Sequence, residues 1–130
     1  MIAPRLRFLT VRRVVLIHEN LIVKHGGETG ILNPGLLESA VAMPKAGFNG
    51  EYLHTDKFAM AAAYAYHIIR NHAFTDGNKR TGMASALTFL DWNGVNIDVP
   101  HEWVAELGVS IANQIVTKGR VADTFHGWAR

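Results

Sequence analysis

The sequence predicts an all-α chain with one small β-hairpin. Three observations carry that prediction. Apolar residues recur at helical spacing through most long segments; most of those segments begin at a capping residue and end at Gly, Asn or Pro; and a single Asn-Gly pair lies between two short extended runs. The elements follow in order. Residues 1–9 read as an extended lead-in or short edge strand. From Thr10, a natural N-cap, Val11, Val14, Val15, His18, Leu21, Ile22 and His25 trace one helical face, and Gly26-Gly27 stop it. Asn33 caps a second helix with Pro34 in its first position, running to about Met43, where Pro44 ends it. Lys45 to Tyr52 contain Asn49-Gly50, a strong hairpin signal, in a segment too short for an independent sheet, and so predict a projecting flap.

Thr55-Asp56 cap a third helix that continues to Arg70 or Asn71. Its Ala59, Ala61, Ala62, Ala63 and Ala65 make it narrow enough for close approach by neighbours on several sides. A loop from His72 to Gly77 leads into a fourth helix, Asn78 to Trp92, closed by Asn93-Gly94. After an extended piece, Val95 to Val99, Pro100 opens a fifth helix carrying Trp103, Leu107, Ile111 and Ile115. Gly119 precedes a last amphipathic piece, Val121 to Trp128. The indoles of Trp92, Trp103 and Trp128 are expected in the core or in helix packing.

Composition bounds the rest. A chain of 130 residues suits one domain around one core, and 48% hydrophobic residues supply that core. The absence of cysteine excludes disulfide frameworks, thiolate metal sites and cysteine nucleophiles, and fits a reducing compartment. A net charge of +2 is weak evidence for any polyanion partner, since nucleic-acid binding wants clustered basic surface, and DNA binding is not expected. Arg5, Arg7, Arg12 and Arg13 interrupt the N-terminal segment, which therefore holds no secretory core, and they read as a solvated face or a protein contact. No uncharged stretch approaches the roughly 20 residues of a bilayer span. The expectation is a cytoplasmic protein with no membrane partner.

Chemistry concentrates in His72-Ala73-Phe74-Thr75-Asp76-Gly77-Asn78-Lys79-Arg80. The start of a helix offers unpaired N–H groups and a positive dipole end, an anion site in waiting. Gly77 lacks the Cβ that would keep a phosphate from the backbone, Asn78 and Lys79 add donors, and Arg80 adds a planar fork for phosphate oxygens. Asp76 is placed for Mg²⁺, which takes one or two carboxylates together with phosphate oxygens. His72 can take a proton from an incoming hydroxyl, and Phe74 can pin the loop to the core. The plainer alternative is a helix cap with two solvated cations and a structural histidine.

Other patterns fail. Gly77 to Gly82 has the glycine spacing of a Walker A loop, but Met83 stands where Lys is required. His18-Glu19 opens like a zinc-protease helix, yet Ile22 occupies the second ligand position. His67 and His72 straddle a helix end without a third ligand, and His25, His54, His101 and His126 are expected at surfaces or caps.

The segment resembles the motif of the Fic/Doc superfamily, His-x-Phe-x-(Asp/Glu)-Gly-Asn-x-Arg, filled here by His72, Phe74, Asp76, Gly77, Asn78 and Arg80. The likeness extends to His18-Glu19-Asn20 with Gly26-Gly27, to Asn33-Pro34-Gly35, to the flap and to Asn93-Gly94, roughly residues 8–125. AMP-transferring Fic enzymes carry Gly where this chain has Lys79, and a second Arg where it has Met83. The resemblance is therefore to the Doc branch, and it implies a compact helical bundle around a central motif helix. It further implies ATP held with its γ-phosphate presented and transferred to a Thr or Ser hydroxyl of a translation factor, by analogy elongation factor Tu. In that reading His72 is the general base and Asp76 binds Mg²⁺ or helps orient the phosphates. Gly77, Asn78, Lys79 and Arg80 cradle the phosphates, with Lys79 and Arg80 also neutralising charge during transfer. The flap, Lys45, Gly47, Phe48, Asn49 and Gly50 among its residues, holds the target by strand addition. The internal inhibitory motif of many Fic proteins, Ser/Thr-x-x-x-Glu-Gly/Asn, is not matched, since Val15 stands at the Ser/Thr position before Glu19-Asn20. The resemblance implies restraint by a separate antitoxin whose tail folds against the N-terminal helical region. The alternatives are a nucleotidyl-transferase of the Fic type and a non-catalytic binder of a translation component.

Overall fold

The computed structural model describes residues 5–130. Six helices run in the order α1 (Val11–His25), α2 (Pro34–Ala42), α3 (Lys57–Asn71), α4 (Asn78–Trp92), α5 (His101–Ala112) and α6 (Lys118–Trp128). A two-stranded hairpin, β1 (Gly47–Phe48) and β2 (Glu51–Tyr52), separates α2 from α3. The fold is the helical bundle with a small hairpin that the periodicities predict.

The capping chemistry is local and legible. The Thr10, Asn33 and Asp56 side chains accept from the backbone N–H of Arg13, Leu36 and Ala59 at the starts of α1, α2 and α3. Met43–Lys45 form a 3-10 turn through Pro44, so Lys45 belongs to that turn and not to the hairpin. In the hairpin, Gly47 faces Tyr52 and Phe48 faces Glu51, and Asn49 and Gly50 both take positive φ, 53° and 79°. That is the two-residue turn whose twist matches an antiparallel pair.

Helices α3 and α4 form the central pair. Ala61, Ala62, Ala63, Tyr64 and Ala65 of α3 are sealed from solvent, as are Ala86, Phe89 and Leu90 of α4. Tyr64 meets Phe89 with ring centroids 5.3 Å apart, while a Cβ at Gly82 would lie 2.6 Å from the Ile69 side chain and 3.1 Å from the Ala65 carbonyl. Later residues of α3 thus meet earlier ones of α4, so the pair is antiparallel, and the alanines with Gly82 let the backbones approach. The motif helix shares the centre with α3, and α1, α2, α5 and α6 pack around the two.

Several expectations need correction. The lead-in falls partly outside the described residues, and its remainder forms no strand. The backbone of Arg7 pairs instead with the Asn93 amide, and Leu9 N–H donates to the Tyr64 hydroxyl at 2.8 Å. Burial pushes that phenol up to about 12. Helix α6 begins at Lys118, three residues before the expected start, because Thr117 accepts from Arg120 N–H and caps it; Gly119 lies inside the helix. Helix α5 ends at Ala112, and Gln114 at φ 60° turns the chain, leaving Ile115 beyond the helix and 72% exposed. The tryptophans do serve helix packing: Trp103 of α5, though half exposed, meets Trp128 of α6 with ring centroids 6.5 Å apart, and Trp92 is half-buried against the core beneath the Arg7 and Arg13 guanidinium groups, 5.2 and 5.4 Å from its ring. His54 is buried, contrary to its expected place at the surface.

Candidate active site

The site is built where α3 ends and α4 begins. His72 is the C-cap of α3 in the left-handed region, φ 48° and ψ 49°, with its side chain exposed. A non-glycine residue held there is strained by about 1 kcal/mol. The turn that follows is tied along the strap before α2. The Ala73 carbonyl accepts from Leu32 and Asn33 N–H at 2.8 and 3.1 Å, Thr75 N–H donates to the Gly30 carbonyl, and Ile31 bridges Phe74. The Asn78 amide closes the loop internally, its oxygen accepting from Phe74 N–H and its nitrogen donating to the Phe74 carbonyl, at 3.0 and 2.9 Å. Phe74 itself is fully buried and stacks on the His18 imidazole of α1, 3.9 Å between centroids and 8° between planes.

This bracing changes two assignments. The Asn78 side chain is buried and committed to Phe74, so its expected donor to a phosphate is spent inside the loop; its backbone N–H is what remains. Gly77 sits at φ 77°, where only glycine is unstrained, and a Cβ there would lie 3.3 Å from Ile22 and 3.6 Å from the His18 ring. The missing Cβ therefore makes room for α1, on the protein side of the turn, not for a ligand.

The outer side is polar and open. Asp76, Lys79 and Arg80 are exposed. No side chain caps α4, and the first helical hydrogen bond runs from Thr81 N–H to the Gly77 carbonyl. The N–H groups of Asn78, Lys79 and Arg80 thus have no helical acceptor, and the positive end of α4 faces outward. The Asp76 carboxylate accepts from Glu28 N–H at 3.2 Å and Gly77 N–H at 2.8 Å. Those bonds, then the charges of Lys79 and Arg80, hold its pKa below the usual carboxylate value. Gly27 is required beside it, since a Cβ there would meet the carboxylate at 2.7 Å. The expected group of His72, Asp76, Gly77, Lys79 and Arg80 is brought together on this one turn.

Among the described residues, no three His, Cys, Asp or Glu side chains converge on a protein-only metal site. A single ionised carboxylate beside an anion-receptive helix start does fit Mg²⁺, which completes its shell with phosphate oxygens and water. Met83 is buried at the α4–α5 contact, its side chain against Gly108. The hairpin stands apart. Tyr52 packs on Phe8 with centroids 5.7 Å apart, Leu53 N–H donates to Ala46, and Phe48 is 81% exposed.

Sequence reasoning missed His18, Ile22 and the strap from Gly27 to Asn33 that holds the motif loop. The available signals were the place of His18 on the apolar face of α1 and the likeness that takes in His18-Glu19-Asn20, Gly26-Gly27 and Asn33-Pro34-Gly35.

A braced turn, an uncapped helix start and the filled motif define a Fic-type site, and residues 8–90 match the Fic/DOC family model. The chain belongs to the Fic/DOC family. It is 35% identical over 120 residues to "Protein kinase doc" of Escherichia phage P1, covering 92% of this chain and 93% of that one. It is 36% identical over 96 residues to "Toxin Doc" of Mycolicibacterium smegmatis, covering 74% of this chain and 72% of that protein.

Proposed function

We propose that this chain is a Doc-type toxin that transfers the γ-phosphate of ATP to a Thr or Ser hydroxyl of a translation factor, by analogy elongation factor Tu, and so arrests translation. The observation that carries this reading is the composition of the motif helix start. Lys79 and Arg80 flank three unpaired N–H groups, while Met83, at the position of the second arginine in AMP-transferring enzymes, is buried against Gly108. A site without that arginine and with a lysine intruding suits a triphosphate held with its terminal phosphate presented. The relative named as a protein kinase, similar over nearly the whole chain, supports the same reading.

The reaction then divides among the chain's own residues. His72, projecting from its left-handed cap, takes the proton of the target hydroxyl as that oxygen bonds to the γ-phosphorus. The bond from phosphorus to the β–γ bridging oxygen breaks and ADP leaves. Lys79, Arg80 and the backbone N–H groups at the start of α4 carry the negative charge that develops on the phosphoryl oxygens. Asp76 would hold Mg²⁺, which would neutralise phosphate charge. The hairpin, with unpaired outer edges and an exposed Phe48, would take up an extended target segment by strand addition.

The same reading includes a cognate antitoxin seated on the N-terminal helical region. The exposed Leu16 and Val23, two helical turns apart on α1, support that placement, as do the exposed Leu32 and Leu36 at the start of the next helical segment. It also includes a cytoplasmic place of action; among the described residues no helix is long and apolar enough to cross a membrane. The deciding experiment is the intact mass of elongation factor Tu after incubation with this protein, ATP and Mg²⁺. A gain of about 80 Da is the expected phosphoryl group; a gain of about 329 Da means adenylyl transfer and overturns the proposal. No gain removes this target.

A further inference from the structure

We infer that His18, on α1 and outside the motif, is a positioning residue that fixes which way the Asp76–Gly77 peptide faces. The inference rests on the reading of the α4 start as the phosphate site. His18 is 2% exposed, stacks flat on Phe74, and places its Nε2 2.7 Å from the Asp76 carbonyl oxygen. A carbonyl oxygen only accepts, so Nε2 carries the proton and donates.

The consequence follows from peptide geometry. In a trans peptide the C=O and the next N–H point in opposite directions. Holding the Asp76 carbonyl inward against α1 therefore turns the Gly77 N–H outward, where it meets the Asp76 carboxylate at 2.8 Å. Gly77, at φ 77°, is the residue type least able to prevent this peptide from flipping, because glycine populates both signs of φ with similar ease. A flip would take that donor from the Asp76 carboxylate and set a carbonyl oxygen against it, beside the lysine and arginine that are to receive phosphate. The His18 hydrogen bond opposes that flip. Its ring also lies in van der Waals range of Gly77, 3.6 Å from where a Cβ would stand, so histidine and glycine are neighbours across 59 positions of sequence.

Two variants separate the hydrogen bond from the packing. His18→Phe keeps the ring on Phe74 and removes the donor; His18→Gln returns a donor at similar reach without the ring. Amide hydrogen exchange of Phe74, Thr75 and Gly77 in the unliganded protein reads the turn directly. In His18→Phe it is expected to quicken about fivefold to tenfold, and in His18→Gln to return most of the way to the parent rate. The affinity for ATP with Mg²⁺ should fall in the same order, by a similar factor. Unchanged exchange in a folded His18→Phe chain, or equal acceleration in both variants, overturns the inference. If neither variant folds, nitrogen NMR of the unaltered imidazole decides. A solvent-protected proton on Nε2 supports the assignment and the Nδ1–H tautomer contradicts it. A parent chain that binds no ATP removes the phosphate-site reading alone, because the exchange and tautomer measurements still decide the role of His18.

Discussion

The motif turn and the hairpin are both short and both present side chains to solvent, yet they are held in opposite ways. The turn from Ala73 to Asn78 is bonded to two other segments, α1 and the strap from Glu28 to Asn33, closed internally by Asn78, and pinned by two stacked buried rings. Only its side chains at Asp76, Lys79 and Arg80, with His72 just before it, reach outward. The hairpin has two residues per strand, one neighbour strand and an exposed aromatic tip. The difference suits the two tasks proposed for them. Phosphoryl transfer depends on donors held fixed before the charge develops, whereas gripping an extended peptide needs a free edge that can adapt.

The comparison breaks most severely at Asn78. Replacing it with alanine leaves the Phe74 N–H and carbonyl unpaired in a buried place and is expected to cost about 3 kcal/mol, read as a fall of roughly 10 °C in Tm. Gly82→Ala should follow at about 1–3 kcal/mol, because the new methyl would press on Ile69 and the Ala65 carbonyl where α3 and α4 touch. Thermal melts of the two variants check both values. At the hairpin the opposite holds. Phe48→Ala should leave stability within about 0.5 kcal/mol, while raising KM for the protein target and leaving kcat unchanged. A large loss of stability there would make the hairpin structural and sink its proposed role.

A smaller effect concerns acid. His67 of α3 accepts from the Lys118 ammonium at 3.0 Å, and burial first, then the charge of Lys118 and of His54, lowers its pKa to about 4. The unfolded chain takes up a proton near 6.5 that the folded chain refuses until about 4. Its contribution is thus complete above 6.5 and falls as pH drops toward 4, a trend that His54, shifted the same way by burial, reinforces. Tm should decline across that interval, and His67→Gln, which keeps an acceptor for Lys118, should flatten the decline.

These contrasts also explain what the sequence could disclose. Elements whose determinants lie within a few residues were legible. Thr10, Asn33 and Asp56 as caps, Pro44 as a stop, and Asn49-Gly50 as a hairpin turn all act on their immediate neighbours. The motif too is contiguous, so the outward residues could be named from spacing. The brace could not, because His18 and Asp76 are 58 positions apart, and nothing near His18 distinguishes a core histidine from one aimed at a catalytic loop. The amide of Asn78 was read as a ligand donor for a related reason: only the folded turn reveals Phe74 as its partner.

The most direct measurement runs the transfer assay with ATP labelled in the γ-phosphate and, in parallel, in the α-phosphate, using the parent chain and His72→Ala. The account predicts that γ label alone moves to the target. It also predicts that His72→Ala, whose exposed side chain leaves the melting temperature unchanged, loses roughly 10²-fold or more of the rate. Movement of α label, or full transfer by His72→Ala, would contradict it.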